Sequence, residues 1–306
     1  MEIKKFKCRA SKIGILMTGH AGKSYKEQYD DALVKKESLN ARLLEFKNKE
    51  CKTALQIVSE KLPEAEKEII RLQPLINEVI LSQSAKSYCQ EWLISELTGK
   101  KKDIRSKYLS RGKAMEDNAI KRIATHYGCE LVKNGNQLEN EYFTGEYDTK
   151  TIEIVIDTKV PFDAFTFPFF TVEPDKDYYG QLQCYMDLTG LKKGSLCYCL
   201  ENGSEEQINK LSWDIARDLG KEEPDIEDWD AAENELSYDH LPDYLRKKVF
   251  EFGYNEAYVK KAEQMVIASR KYIETELLPL IAISVNNINV VGEKVFDPAS
   301  ISNEDF

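Results

Sequence analysis

The sequence predicts an α/β protein: a mixed central sheet flanked by helices, with a long helical hairpin inserted after the first segment and a helix near the end. Three observations lead there. Residues 129–200 alternate short β-rich runs with helical ones, the order that builds a sheet covered by helices. Residues 25–97 carry apolar side chains at three- and four-residue steps, among them Leu39, Leu43, Leu55, Val58, Leu62, Ile69, Ile76 and Ile80. Thr151–Val160 is a run dominated by β-branched residues, the composition of a buried strand. Of 306 residues, 42% are apolar, enough for a sizeable core.

The elements follow in order. Residues 1–24 are mixed, with a short apolar patch from Ile13 to Met17. Gly19-His20-Ala21-Gly22-Lys23-Ser24 has the look of a phosphate-binding loop. That loop needs a glycine five residues before its Gly-Lys pair, where this chain has Met17, so the stretch reads as a loop leading into a helix. Residues 25–98 read as the helical hairpin, with Pro63 at the break as a first-turn proline of the second helix. A two-stranded coiled coil is the alternative, but the heptads are not sustained. Gly99–Lys113 is a basic link with seven Lys and Arg against Asp103 alone. A helix is predicted over Lys113–Tyr127, then strands at Cys129–Lys133 and Gln137–Phe143 around the turn Asn134-Gly135-Asn136. A strand at Thr151–Val160, a helix at Asp175–Leu188 and a strand at Gly194–Leu200 complete a core over 99–200. Residues 201–242 form an acidic segment of loop and short helices. Residues 243–306 form a C-terminal helical part packed on the core, with a long helix over Asp243–Glu276 and a tail after Val285 of short strand or disorder.

The formal charge of −10 argues against nucleic-acid binding if it is spread evenly. It is not: Glu201–Asp239 holds fourteen acids and three bases, a local net of −11, and the other residues sum to +1. Seven scattered cysteines are expected to be free thiols in a reducing compartment. Neither a membrane-length apolar run nor an apolar leader is evident, so the expectation is a soluble, cytoplasmic protein with no membrane partner. Paired Cys or His spacings for zinc are lacking, and three histidines leave little room for His-based catalysis.

One constellation carries chemistry. Alternation along the strand puts Val155, Asp157 and Lys159 on one face and Ile154 and Ile156 on the other. Charges inside so apolar a run are costly unless paired or bound to metal. Asp148 precedes the strand by a tight turn and can converge on the same spot. Two carboxylates with a lysine can hold Mg²⁺ or Mn²⁺, one ion or two, and position or deprotonate the attacking water. A half-exposed strand with an ordinary Asp–Lys pair is the competing reading of this strand alone.

Other segments extend the pattern. Arg111-Gly112-x-x-x-Glu116-x-x-Ala119 opens a helix, Gly145-x-x-Asp148 precedes the strand, Asp157-x-Lys159-x-Pro161 ends it, and Tyr178-x-x-Gln181-x-Gln183-x-x-Met186 lies on the next helix. In this order they resemble the lambda-exonuclease and YqaJ-like viral recombinase branch of the PD-(D/E)XK nucleases. The match covers residues 111–200 well and the first twenty weakly. It leaves the hairpin and the acidic segment unaccounted for. The resemblance implies a restriction-endonuclease-like core and assigns roles. Glu116, Asp148 and Asp157 would be metal ligands, joined by the backbone carbonyl of Thr158, and Lys159 would orient the water. Gln183 or Gln181 would contact the scissile phosphate or Lys159, with Tyr185 on the same helical face as Gln181 facing DNA. Arg9 and Ser11 look like the family's 5′-phosphate pocket.

The basic link, with Arg105, Lys107 and Arg111, can contact several phosphates without reading sequence. The aromatic stretch Phe162–Phe170 could stack on bases but reads better as core or subunit interface. The resemblance thus implies a metal-dependent exonuclease on duplex DNA ends, 5′→3′, in phage-type recombination, acting in the host cytoplasm if phage-encoded. It also implies a single-strand annealing partner and a homo-oligomer, a ring trimer in the lambda type. A structure-specific endonuclease sharing the metal core, or a non-enzymatic DNA-binding scaffold with a degenerate core, are the alternatives.

Overall fold

The computed structural model describes residues 3–49, 51–102 and 106–281. They form two compact units, one drawn from residues 3–6, 18–100 and 264–281, the other from 7–17, 101–102 and 106–263.

The second unit begins with β1 (Cys8–Arg9) and α1 (Ile13–Met17). The chain then passes into the first unit, where α2 (Tyr25–Asn48) and α3 (Lys52–Leu72) form the expected hairpin around Leu39, Val58 and Ala65. Ser24 caps α2: its hydroxyl accepts from Glu27 N, while the Glu27 carboxylate accepts from Ser24 N. The Gly-Lys-Ser stretch is therefore a helix start. Pro63 does not open the second helix. It lies inside α3, and the hairpin turns between Asn48 and Lys52, where Cys51 N bonds back to Phe46 O. A proline inside a helix forfeits a backbone hydrogen bond, a loss α3 carries while packed along α2. A third helix, α4 (Gln83–Thr98), brings Tyr88 and Trp92 edge-on to Phe6, with ring centroids at 5.9 and 5.1 Å.

Back in the second unit, α5 (Lys107–Tyr127) starts at Ser106, whose hydroxyl accepts from Tyr108 N, and stops at Gly128 with φ 63°. β2 (Leu138–Glu139) and β3 (Phe143–Gly145) join β1 in a small sheet of order β1-β3-β2. The main sheet has the order β4 (Thr149–Lys150), β5 (Ile154–Lys159), β6 (Lys193–Cys199), β7 (Lys247–Gly253). β5 and β6 are parallel and the outer strands antiparallel, so the sheet is mixed as expected. Helix α6 (Lys176–Thr189) is the crossover between the parallel pair. Its Leu182 and Met186 press on one face at Gly194. From the other face α5 packs Ala119, Ile120 and Ile123 against Ile156, Cys197 and Cys199. The alternation along β5 is the expected one, with Asp157 toward α6 and Ile156 toward α5.

Several elements differ from expectation. Cys129–Lys133 is loop, and the active strand starts at Ile154, leaving Ile152 exposed. The acidic segment holds loop and two helices, as expected: α7 (Glu205–Asp218) and α8 (Ile226–Glu235). The long helix expected from Asp243 begins only at Glu256, as α9 (Glu256–Tyr272). Before it, Asp243–Leu245 is a 3-10 turn and Lys247–Gly253 is the edge strand β7. The tail after Val285 lies outside the described residues. Among the described residues no helix is long and apolar enough to cross a membrane, and all seven cysteines are unbridged.

Candidate active site

The site lies where β4 and β5 pair. Their antiparallel register sets Thr149 opposite Ile156, so Asp148 and Asp157, one step outward on each strand, meet. Asp148 Oδ2 accepts from Thr158 N at 2.6 Å and from Thr158 Oγ1 at 2.7 Å. Those two bonds fix its rotamer and leave its other oxygen for a further partner. Gly145, at the head of the Gly-x-x-Asp turn, is needed for space. A Cβ there would stand 2.7 Å from the Tyr185 ring and 3.0 Å from Ala10 Cβ. Gly145→Ala is expected to cost about 1–3 kcal/mol through overpacking, read as a lowered thermal midpoint. An unchanged midpoint would count against this packing.

Asp157 is fully buried. Lys159 Nζ lies 2.6 Å from its Oδ2 as a tight ion pair, with no further donor to that oxygen among the described residues. Gln181 Nε2 donates to Asp157 Oδ1 at 3.3 Å and to Tyr185 Oη at 2.8 Å, and that hydroxyl donates to Glu146 O at 2.7 Å. Burial pushes the Asp157 carboxyl up to about 6, with Asp148 and Glu116 adding and Lys159 opposing. Burial pulls the Lys159 ammonium down, but Asp157 and Asp148 outweigh it and hold the group above its ordinary value. Its side chain stays 24% exposed and stacks on the Tyr178 ring at 4.7 Å. Glu116, from α5, is also raised, first by burial and then by Asp148.

These carboxylates are hard oxygen donors that share a surplus of negative charge, and one buried oxygen is met only by an ammonium. That chemistry fits a divalent cation such as Mg²⁺ or Mn²⁺. Among the described residues no three His, Cys, Asp or Glu side chains are already drawn together as a metal cluster. Instead lysines sit on the carboxylates, Lys159 on Asp157 and Lys133 on Glu116.

Other expected site residues are placed elsewhere. Gln183 is buried with both ends of its amide engaged away from Asp157: Nε2 donates to Gly253 O at 2.9 Å and Oε1 accepts from Asn255 N at 2.7 Å. Of the two glutamines, Gln181 alone is brought to Asp157, because a two-residue step on a helix turns the side chain away. Tyr185 is buried and does not face DNA. Arg111 is a correction too: it is 2% exposed and donates to the carbonyls of Pro161, Glu201 and Asn202, so no phosphate can reach it. Lys107 lies over the Phe162 ring at 4.5 Å. Arg9 is on β1 and Ser11 on the turn after it, both exposed, beside the strand that leads to Asp148. Arg105 lies outside the described residues. Lys133 was not anticipated, because it sits in a loop with no motif to mark it.

No family model and no curated protein sequence matches the chain. Among solved structures, a phage-related exonuclease from Haemophilus somnus 129PT superposes with a TM-score of 0.60 at 21% identity, over 90% of this chain and 97% of that one. An alkaline exonuclease from Laribacter hongkongensis gives a TM-score of 0.52 at 15% identity, over 92% and 94%. The same enzyme in complex with dAMP gives 0.51 at 15%. The motif resemblance is thus matched by the whole architecture, and this chain has the fold of the phage-related and alkaline exonucleases.

Proposed function

We propose that this protein is a divalent-metal-dependent deoxyribonuclease that hydrolyses phosphodiester bonds from the ends of duplex DNA. The observation that carries the reading is Asp157. It is a buried carboxylate whose Oδ2 is met only by the Lys159 ammonium, next to Asp148 and Glu116, in a fold shared with exonucleases. One structural neighbour was crystallised with dAMP, a deoxynucleoside monophosphate of the kind end-wise degradation releases.

In this reading Glu116, Asp148, Asp157 and the carbonyl of Thr158 hold Mg²⁺ or Mn²⁺, which supplies Lewis-acid polarisation of the phosphate and a nucleophilic water at neutral pH. Thr158 keeps Asp148 aimed by two hydrogen bonds, and Gln181 steadies Asp157 through Oδ1. Lys159 remains an ammonium at neutral pH. In this reading it donates hydrogen bonds that orient the attacking water or a phosphate oxygen. Polarity 5′→3′, a 5′-phosphate pocket at Arg9 and Ser11, phage-type recombination in a host cytoplasm beside an annealing protein, and ring assembly extend the reading from the motifs.

The test is digestion of end-labelled linear and covalently closed circular duplex with Mg²⁺, comparing 5′-phosphate with 5′-hydroxyl ends. Loss of linear DNA only, faster from 5′-phosphate, is expected. Cutting of closed circles would favour the endonuclease reading, and no cutting at all would favour the scaffold. A pH dependence follows as well. A carboxyl raised to about 6 is protonated below that pH, and a proton there competes with the cation for the same oxygen. Mn²⁺ binding, followed by calorimetry, should weaken as pH falls through 6 and level off above about 7. A flat profile from pH 5 to 8 would remove Asp157 from the ligand set.

A further inference from the structure

Lys133 sits on a loop tied down on both sides to the segment that carries Asp148. Thr149 Oγ1 donates to Val132 O at 2.8 Å, Asn134 N donates to Asp148 O at 2.7 Å, and Asn134 Nδ2 donates to Tyr147 O at 3.0 Å. The backbone on either side of Lys133 is thereby fixed against the turn that delivers the central carboxylate. Its Nζ reaches 3.3 Å from Glu116 Oε2 and 3.0 Å from Asp117 Oδ1, and the side chain stays 44% exposed. We infer that Lys133 is a second phosphate-binding ammonium of this site, paired with Glu116 until a divalent cation takes that carboxylate and free then to meet a phosphate of the DNA backbone. The inference rests on the nuclease reading above.

The chemistry favours an exchange of partners. A site built on Glu116, Asp148 and Asp157 is acidic and repels an approaching phosphodiester, and two lysines already pair with its carboxylates, Lys159 with Asp157 and Lys133 with Glu116. With Glu116 engaged elsewhere, Lys133 keeps only its pair with Asp117, whose side chain is 69% exposed. A surface pair of that kind contributes little, so a phosphate can displace it readily. A lysine suits such a move: its ammonium is a point charge on a flexible stem, without the fixed fork of an arginine.

The test uses the full chain as wild type, Lys133→Met, Lys133→Gln and Lys133→Arg. Mn²⁺ is titrated by calorimetry, and binding of a labelled linear duplex is measured with Ca²⁺ over a salt series. Loss of the competing ammonium should tighten Mn²⁺ binding several-fold in the two neutral variants. It should also reduce the slope of log K against log salt by about 0.9, the value of one phosphate contact on B-form DNA. Lys133→Arg should keep the wild-type slope. Either neutral variant, if folded by circular dichroism, suffices. Wild-type slope and wild-type Mn²⁺ affinity in a folded neutral variant would leave Lys133 a plain surface ion pair and overturn the inference. A wild type that binds neither Mn²⁺ nor DNA would instead overturn the nuclease reading, and this inference with it.

Discussion

Lys159→Ala and Asp148→Asn are each expected to slow Mg²⁺-dependent degradation of linear duplex by roughly 10³-fold or more, with the protein still folded. A single preorganised donor or charge at a developing oxyanion is worth about 10²–10³ in rate, or about 3–4 kcal/mol. Each residue here does more than one job. Lys159 is the cation that faces Asp157 Oδ2, and its side chain is part-exposed beside the Tyr178 ring. Asp148 contributes charge to the site while its other oxygen anchors Thr158 on the neighbouring strand. Asn at position 148 is the informative change, because its carbonyl oxygen can still accept from Thr158 N and Oγ1. Shape is retained and charge alone is lost. Thermal midpoints near wild type together with lost nuclease activity would separate chemistry from folding. Activity within tenfold of wild type in both variants would sink the proposed site.

How much of this was legible in the sequence depends on what each signal encodes. The strand bearing Asp157 and Lys159 was legible because period-two alternation survives in one run, and the packing of Ile156 and Asp157 on opposite sides follows it. β7 was missed. Lys247, Lys248 and Glu251 dilute an edge strand that needs only one partner, so it reads like the start of the charged helix behind it. The hairpin was legible as helix, but its turn was not. Pro63 is a strong breaker in isolation, yet packing along α2 overrides it. Charge was the poorest guide, because composition counts formal charges and not where they are spent. Part of the −11 of the acidic segment is neutralised inside the fold. Glu201 is buried against Arg122 at 2.6 Å and Asp239 meets Arg246 at 2.6 Å, both arginines lying outside the segment. Glu205, Glu206, Glu227 and Asp228 occupy first helical turns, where the helix dipole favours acids.

The same blindness to burial hid the second large effect, Arg111→Met, which is expected to cost about 3–5 kcal/mol of stability. Arg111 Nε donates to Pro161 O at 2.9 Å, Nη2 to Glu201 O at 2.7 Å, and Nη1 to Asn202 O at 3.1 Å and to Gln207 Oε1. Pro161 follows β5, and Glu201 and Asn202 follow β6, so one guanidinium on α5 clasps the ends of both parallel strands. Methionine fills much of the volume but takes the guanidinium donor from three backbone carbonyls, while Gln207 Oε1 keeps its bonds from Ser204. Each buried polar group left unpaired costs about 1–3 kcal/mol, and relaxation recovers part of the sum. At about 2–4 °C per kcal/mol for a unit of this size, the thermal midpoint should fall by roughly 10 °C. Lys at this position has three donors on one nitrogen and cannot span acceptors set around a planar fork, so Arg111→Lys should recover little of the loss. Duplex binding separates this role from the DNA-facing one that the basic link suggested. A structural Arg111 leaves the salt slope of DNA binding unchanged in whatever fraction stays folded. A midpoint within about 2 °C of wild type, combined with a slope lowered by about one phosphate contact, would return Arg111 to the DNA surface.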